Sequence, residues 1–243
     1  MAVERMDPDQ CSWLESGLMA EHVERYRFAC GHLNGDAVLD IACGSGFGTR
    51  MLAEHAVAVT GADLSAEAVA ACRQRPEKVK AFEVADATAL HFVDESFDSV
   101  VSFETLEHVP DTAAATVLAE FARVLRPGGR LILSTPDRRA LSLGGPPANP
   151  YHTREFTLPE LLELLARDFD LEFVCGQKIC RPASVSAVSK LSRVFGTRSR
   201  ESSLWRVYQI VLRRDAAITA IPDGRLAMVI LAVARRRTNA APA

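Results

Sequence analysis

The sequence has no long apolar run, no paired cysteines and no excess of positive charge, and each absence removes a class of function. A helix crossing a bilayer needs about 20 consecutive apolar residues. The longest apolar run, 226–234, is far shorter and reads as a buried strand, so no membrane partner is expected. The six cysteines (Cys11, Cys30, Cys43, Cys72, Cys175 and Cys180) form no CxxC pair and no zinc-like spacing. Scattered thiols of this kind belong to a reducing compartment rather than to a disulfide framework. The N-terminus lacks a basic-then-apolar leader, and Glu4 and Asp7 interrupt it early, so a cytoplasmic protein is expected. A net charge of −3 argues against a general binder of nucleic acid or anionic membrane. Basic residues do gather locally, with Lys190, Arg193, Arg198, Arg200, Arg206, Arg213 and Arg214 set against Glu201 and Asp215. Such a run reads first as a solvated helix face and only second as a phosphate-binding surface.

With 48% hydrophobic residues but only 7% aromatics, the chain has material for a sizeable core filled mainly by Ala, Val and Leu. Its 243 residues suit a single domain over 1–243. In the opening segment, 1–35, Leu18, His22, Tyr26 and Ala29 or Cys30 fall three or four apart, with Glu21, Glu24 and Arg25 between them, which predicts a helix. Short apolar runs at 37–42, 56–62, 79–85, 99–103 and 130–134 predict strands. Helical patterns separate most of them, with Ser65 and Asp111 or Thr112 as N-caps. After a Gly/Pro-rich loop at 136–150 come a helix at 159–167 and a strand at 171–177. Residues 182–221 read as a helical insertion before the last strand, which begins at Leu226. Alternation of this kind implies an α/β fold: a doubly wound, mostly parallel sheet with helices on both faces.

The first chemical statement is Asp40-Ile41-Ala42-Cys43-Gly44-Ser45-Gly46-Phe47-Gly48-Thr49. Glycines at a strand end allow a sharp turn and close approach of a ligand to the backbone. The third glycine arrives one position too early for the dinucleotide pattern GxGxxG, and an acid stands four residues before the first glycine. Acidic and carbonyl surroundings suit a ligand that carries an ammonium and a sulfonium, as S-adenosylmethionine (SAM) does. Asp63 closes the second strand, where its two oxygens can accept from both ribose hydroxyls, and Asp86 closes the third, near an adenine amine.

These motifs, with Gly61-Ala62-Asp63-Leu64-Ser65, Ala85-Asp86-Ala87, Phe97-Asp98-Ser99-Val100-Val101 and Arg126-Pro127-Gly128-Gly129-Arg130, resemble those of the class I SAM-dependent methyltransferases over residues 20–180. The resemblance implies a seven-stranded sheet whose last strand is antiparallel beside the fifth, with the helical insertion 182–221 between the last two strands. It implies SAM as cofactor, held by Asp40, Ala42, Cys43, Gly44, Gly46, Asp63, Leu64, Asp86, Ala87 and Phe103.

Acceptor chemistry belongs after the fourth strand, in Glu104-Thr105-Leu106-Glu107-His108-Val109. In a helical turn Glu104, Glu107 and His108 share a face, and His152, in Asn149-Pro150-Tyr151-His152-Thr153-Arg154-Glu155-Phe156, can close the same site. Two carboxylates and two imidazoles suit a divalent metal, with magnesium first and manganese open. The set resembles that of the small-RNA 3′-terminal 2′-O-methyltransferases and, in part, of the ubiquinone-pathway O-methyltransferases. The plainer alternative is a metal-free site in which His108 or His152 acts as base. Glu107, His108 and His152 are the catalytic candidates. The segments 21–29 and 149–156 resemble those of bacterial methyltransferases of polysaccharide assembly, which implies a sugar or glycoside hydroxyl as acceptor. A phenol or amine natural product, an RNA end and a non-catalytic SAM-binding role are the alternatives. A homodimer is left open.

Overall fold

The computed structural model describes residues 16–35, 37–74, 78–142, 146–147, 149–183 and 216–238. Helix α1 (Ser16–Cys30), strand β1 (Ala37–Ile41), α2 (Phe47–Ala53), β2 (Ala58–Asp63), α3 (Ala66–Arg73), β3 (Ala81–Val84) and β4 (Phe97–Phe103) follow in the expected order. Next come a 3-10 turn at Asp111–Ala113, α4 (Ala114–Val124), β5 (Leu125–Pro136), α5 (Arg138–Leu141), α6 (Leu158–Leu165), β6 (Phe169–Cys180), β7 (Ile218–Ala220) and β8 (Leu226–Arg236).

The strands form one sheet in the order β3-β2-β1-β4-β5-β8-β6-β7. Strands β1 to β5 are mutually parallel. The last strand, β8, lies antiparallel between β5 and β6, as the motifs imply. The sheet has eight strands rather than seven, because β7 pairs with the outer edge of β6. That strand falls in the segment expected to be helical, and three residues are too short a run to show alternation. Residues 184–215 of that insertion, and 1–15 of the N-terminal segment, lie outside the described residues.

Alternation along each strand feeds two faces. Leu39, Val100, Leu131, Leu133 and Ile230 pack with Val117, Leu118 and Phe121 of α4 and with Leu161 and Leu165 of α6. Val38, Val59, Val101, Ile132 and Val233 pack on the opposite face with Tyr26 and Ala29 of α1 and Leu52 of α2. Helices on both faces leave only the strand ends open, so ligands must enter at an edge. The carboxyl ends of the five parallel strands, from Ile41 to Pro136, form that edge.

Local signals were kept in some places and overridden in others. Ser65 caps α3 as expected, its hydroxyl accepting from the Ala68 N–H. Asp111 does not cap α4; its carboxylate pairs with Arg154, 2.6 Å away. Asp137 caps the short α5 inside the segment expected to be loop. Glu21 and Arg25, placed between the apolar positions of α1, are buried rather than solvated. Glu21 is held by Lys178 at 2.6 Å, and Arg25 donates to Gln177 at 2.8 Å. No helix among the described residues is long and apolar enough to cross a membrane.

Candidate active site

The end of β1 turns into α2 through a loop with left-handed backbone at Ala42 (φ 59°), Gly44 (φ 56°) and Gly46 (φ 75°). A β-carbon at Gly44 would meet nothing within 4 Å, so bare backbone faces the crevice there. Gly48 serves a different need. A β-carbon at that position would stand 1.9 Å from the Tyr26 ring, which pins α1 against the loop.

Asp40 lies behind this loop and is fully buried. It accepts from the Tyr26 hydroxyl at 3.1 Å and from the Thr49 hydroxyl at 2.6 Å. Burial pushes its carboxyl up to about 7, against the pull of those hydrogen bonds. Expected to face the cofactor, Asp40 instead braces the loop from within. Cys43 also turns inward; its bond to the Cys72 thiol, and its burial, push its own thiol far above the usual range. Ala42, by contrast, is exposed.

Asp63 stands at the crevice, half-buried, with one oxygen accepting from the Gly44 N–H at 2.9 Å and the other from the Ser65 N–H at 2.8 Å. Each carboxylate oxygen has two acceptor sites, so both can still take a hydroxyl donor. Beside it Leu64 is 71% exposed, an apolar side chain at the rim. Asp86 is exposed, and the Thr88 hydroxyl and N–H, at 2.7 and 2.8 Å, hold its carboxyl below the usual range. Ala87 is half-buried next to it. Phe103 ends β4 with its ring edge-on to Tyr26, centroids 5.0 Å apart.

Beyond Phe103 the chain does not enter a helix. Glu104 takes left-handed φ (51°), so the helical face expected to unite Glu104, Glu107 and His108 does not form. Its carboxylate accepts from the Ser134 hydroxyl at 2.7 Å. Glu107, His108 and His152 do converge: one ligand atom from each lies within 4.8 Å of the others. Glu104 is outside that group, a correction to the four-residue set. Its negative charge still bears on Glu107.

Glu107 is fully buried. Burial, and then Glu104, raise its carboxyl well above the usual range, while the Thr135 hydroxyl and the positive charge of Arg25 oppose the shift. Its Oε2 accepts from Thr135 at 3.1 Å, but its buried Oε1 has no hydrogen-bond partner. The His108 and His152 rings meet edge to face, with centroids 5.0 Å apart, and Nδ1 of His108 lies 3.1 Å from the Tyr151 carbonyl oxygen. The approach is fixed by backbone: the Thr153 N–H donates to the Glu107 carbonyl at 2.7 Å, and the Thr153 hydroxyl bonds the Glu107 and Val109 carbonyls. The segment after β5 is thereby stitched onto the loop after β4. Arg25, Thr135, Ser134, Asn149 and Glu155 also reach this region, and only their place in the fold reveals them.

Residues 39–133 match the family described as "Methyltransferase domain". A probable S-adenosylmethionine-dependent methyltransferase of Mycolicibacterium smegmatis is 40% identical over 144 residues, covering 58% of this chain and 55% of the relative. The 27-O-demethylrifamycin SV methyltransferase of Amycolatopsis mediterranei is 44% identical over 105 residues, covering 41% of this chain and 38% of the relative. The chain thus spans about half the length, or less, of the curated relatives it matches. In structure it is similar to an S-adenosylmethionine dependent methyltransferase from Mesorhizobium loti, with TM-score 0.58 and 22% identity, covering 89% of this chain and 98% of that one. Residues 39–133 thus match a methyltransferase domain, and the sheet with its helices has the class I methyltransferase fold.

Proposed function

We propose that the protein is a SAM-dependent O-methyltransferase that acts on a hydroxyl of a sugar or glycoside with the help of a divalent metal. The convergence of Glu107, His108 and His152 at the carboxyl edge carries this reading. In methyl transfer the acceptor oxygen attacks the sulfonium methyl carbon in line. The carbon–sulfur bond breaks toward sulfur, and a neutral thioether departs. The leaving group needs no acid, so the protein's tasks are alignment and removal of the hydroxyl proton.

The cofactor's place is the bare loop around Gly44, with Asp63 and Asp86 as hydrogen-bond acceptors. Across the crevice the residues present fit a cation. Glu107 carries a buried oxygen without a partner, and a carboxylate oxygen of the same residue lies within 4.8 Å of a ring nitrogen of each imidazole. Glu107, His108 and His152 would hold the metal. The chemistry such an ion would supply is a lowered pKa for an acceptor hydroxyl. One carboxylate and two imidazoles suit manganese at least as well as magnesium. Vicinal sugar hydroxyls suit such a site because they chelate. The resemblance of the segments 21–29 and 149–156 to glycan-assembly enzymes supports the same acceptor class.

A second reading draws on Glu104, which bonds Ser134 and leaves the four-residue set incomplete. In it a histidine alone takes the proton of a natural-product hydroxyl, in keeping with the name of the Amycolatopsis relative. Transfer from labelled SAM to a panel of saccharides and phenols, with EDTA and then with manganese or magnesium, separates the two. Sugar methylation that stops with chelator and returns with metal supports the first reading. Chelator-resistant turnover of phenols overturns it.

A further inference from the structure

His152 is gripped at both ring nitrogens. Its Nδ1 lies 2.9 Å from Oε1 of Glu155, and its Nε2 lies 2.8 Å from Nδ2 of Asn149. The orientation of the Asn149 amide is fixed independently, because the Tyr151 N–H donates to its Oδ1 at 3.1 Å. Nδ2 is therefore the atom that meets the ring. An amide nitrogen only donates, so Nε2 must accept, and the ring proton sits on Nδ1, where Glu155 receives it. A single neutral tautomer accounts for both contacts of the ring.

The Glu155 side chain is completely buried, and its second oxygen has no hydrogen-bond partner. Keeping a carboxylate in a dry interior for the sake of one hydrogen bond is costly, and an apolar side chain would pack there without that cost. Holding the imidazole in one state is a use that matches the expense. The same carboxylate makes the opposite nitrogen more basic, as outer-shell carboxylates do for metal-bound histidines.

We propose that Glu155 is the positioning residue of the Glu107–His108–His152 site: it accepts the hydrogen bond of the His152 Nδ1–H, holds the proton on that nitrogen and so reserves Nε2 for the cation. Asn149 occupies that lone pair until the cation displaces its amide. The inference rests on the metal reading given above for its consequence, but not for its geometry. Glu155 touches no reacting atom and acts through His152.

The test compares the full chain with Glu155→Leu, Glu155→Gln and His152→Ala. Histidine side-chain nitrogen spectra, taken without metal, report the tautomer directly. Wild-type His152 is expected to carry its proton on Nδ1. Glu155→Leu is expected to lose that single state, and Glu155→Gln, which can still accept from Nδ1, to keep it. Binding of Mn²⁺ alone, followed by its electron paramagnetic resonance, should weaken about 10–100-fold in Glu155→Leu, with Glu155→Gln in between and SAM affinity unchanged. His152→Ala should weaken it at least as much, and the His152→Ala/Glu155→Leu double variant no further. A wild-type His152 protonated on Nε2, or a Glu155→Leu variant with the wild-type tautomer and Mn²⁺ affinity, overturns the proposal. Absence of Mn²⁺ binding by the wild type defeats the metal reading instead, and the spectra still decide the role of Glu155.

Discussion

The Asp40 carboxyl titrates near neutrality because the interior penalises its charge more than two hydroxyls reward it. Its folded value, about 7, lies above the ordinary 3.8, so the native state binds a proton that the unfolded chain releases. The stability contributed by this group is complete below the unfolded value. It is lost as pH rises from about 4 to about 7, with a slope limited to about 1.4 kcal/mol per pH unit. Asp40→Asn keeps an acceptor for Tyr26 and Thr49 but cannot ionise. Urea unfolding of this variant between pH 4 and 7 should show a flatter stability profile than wild type, and an unchanged slope would place the wild-type pH dependence elsewhere. The two sides of the crevice separate by kinetics. Asp63→Ala removes a charged hydrogen-bond acceptor and should weaken SAM binding by roughly 10–100-fold. Glu107→Ala should cut kcat while SAM affinity, read by calorimetry, stays near wild type. The positions of Asp63 at the end of β2 and of Asp86 just past β3 were legible because strand ends are visible as the close of apolar runs. The direction in which Asp40 points was not legible, since its burial depends on Tyr26 arriving from α1.

At the level of elements, the joint between α1 and the glycine loop leaves no room at Gly48. Gly48→Ala places a methyl group inside the Tyr26 ring, so α1 must move or the loop must open. A loss of about 1–3 kcal/mol is expected from overpacking, measured by denaturant midpoint. Pairing it with Tyr26→Leu should recover part of the loss, whereas purely additive losses would show that the two sites do not collide. Strands and most helices were legible from periodicity, and Ser65 from its capping chemistry. The turn after β4 was not. Glu104, Glu107 and His108 have the spacing of one helical face, yet a single left-handed residue at Glu104 breaks the turn, and no local signal marks it. The three-residue β7 was hidden for a related reason, since its pairing comes from β6 and not from its own pattern.

Across the whole molecule, β8 joins what would otherwise be two separate edges, lying between β5 and β6 with Ile230, Leu231 and Val233 fully buried. Leu231→Ala should cost about 2–5 kcal/mol through lost burial and a residual cavity. If the sheet unfolds as one unit, thermal curves read at the core and by SAM binding should shift together. Curves that separate would show that the cofactor half survives without the strands beyond β5. The match to the methyltransferase family ends at residue 133, before His152, Asn149 and Glu155. On the function proposed above, the donor side of the crevice lies within that match, while the acceptor side combines 104–109, inside it, with 149–156, beyond it, the two stitched together by backbone. On that reading, a change of acceptor asks for rewriting of 149–156 and leaves the donor side of the crevice as it is.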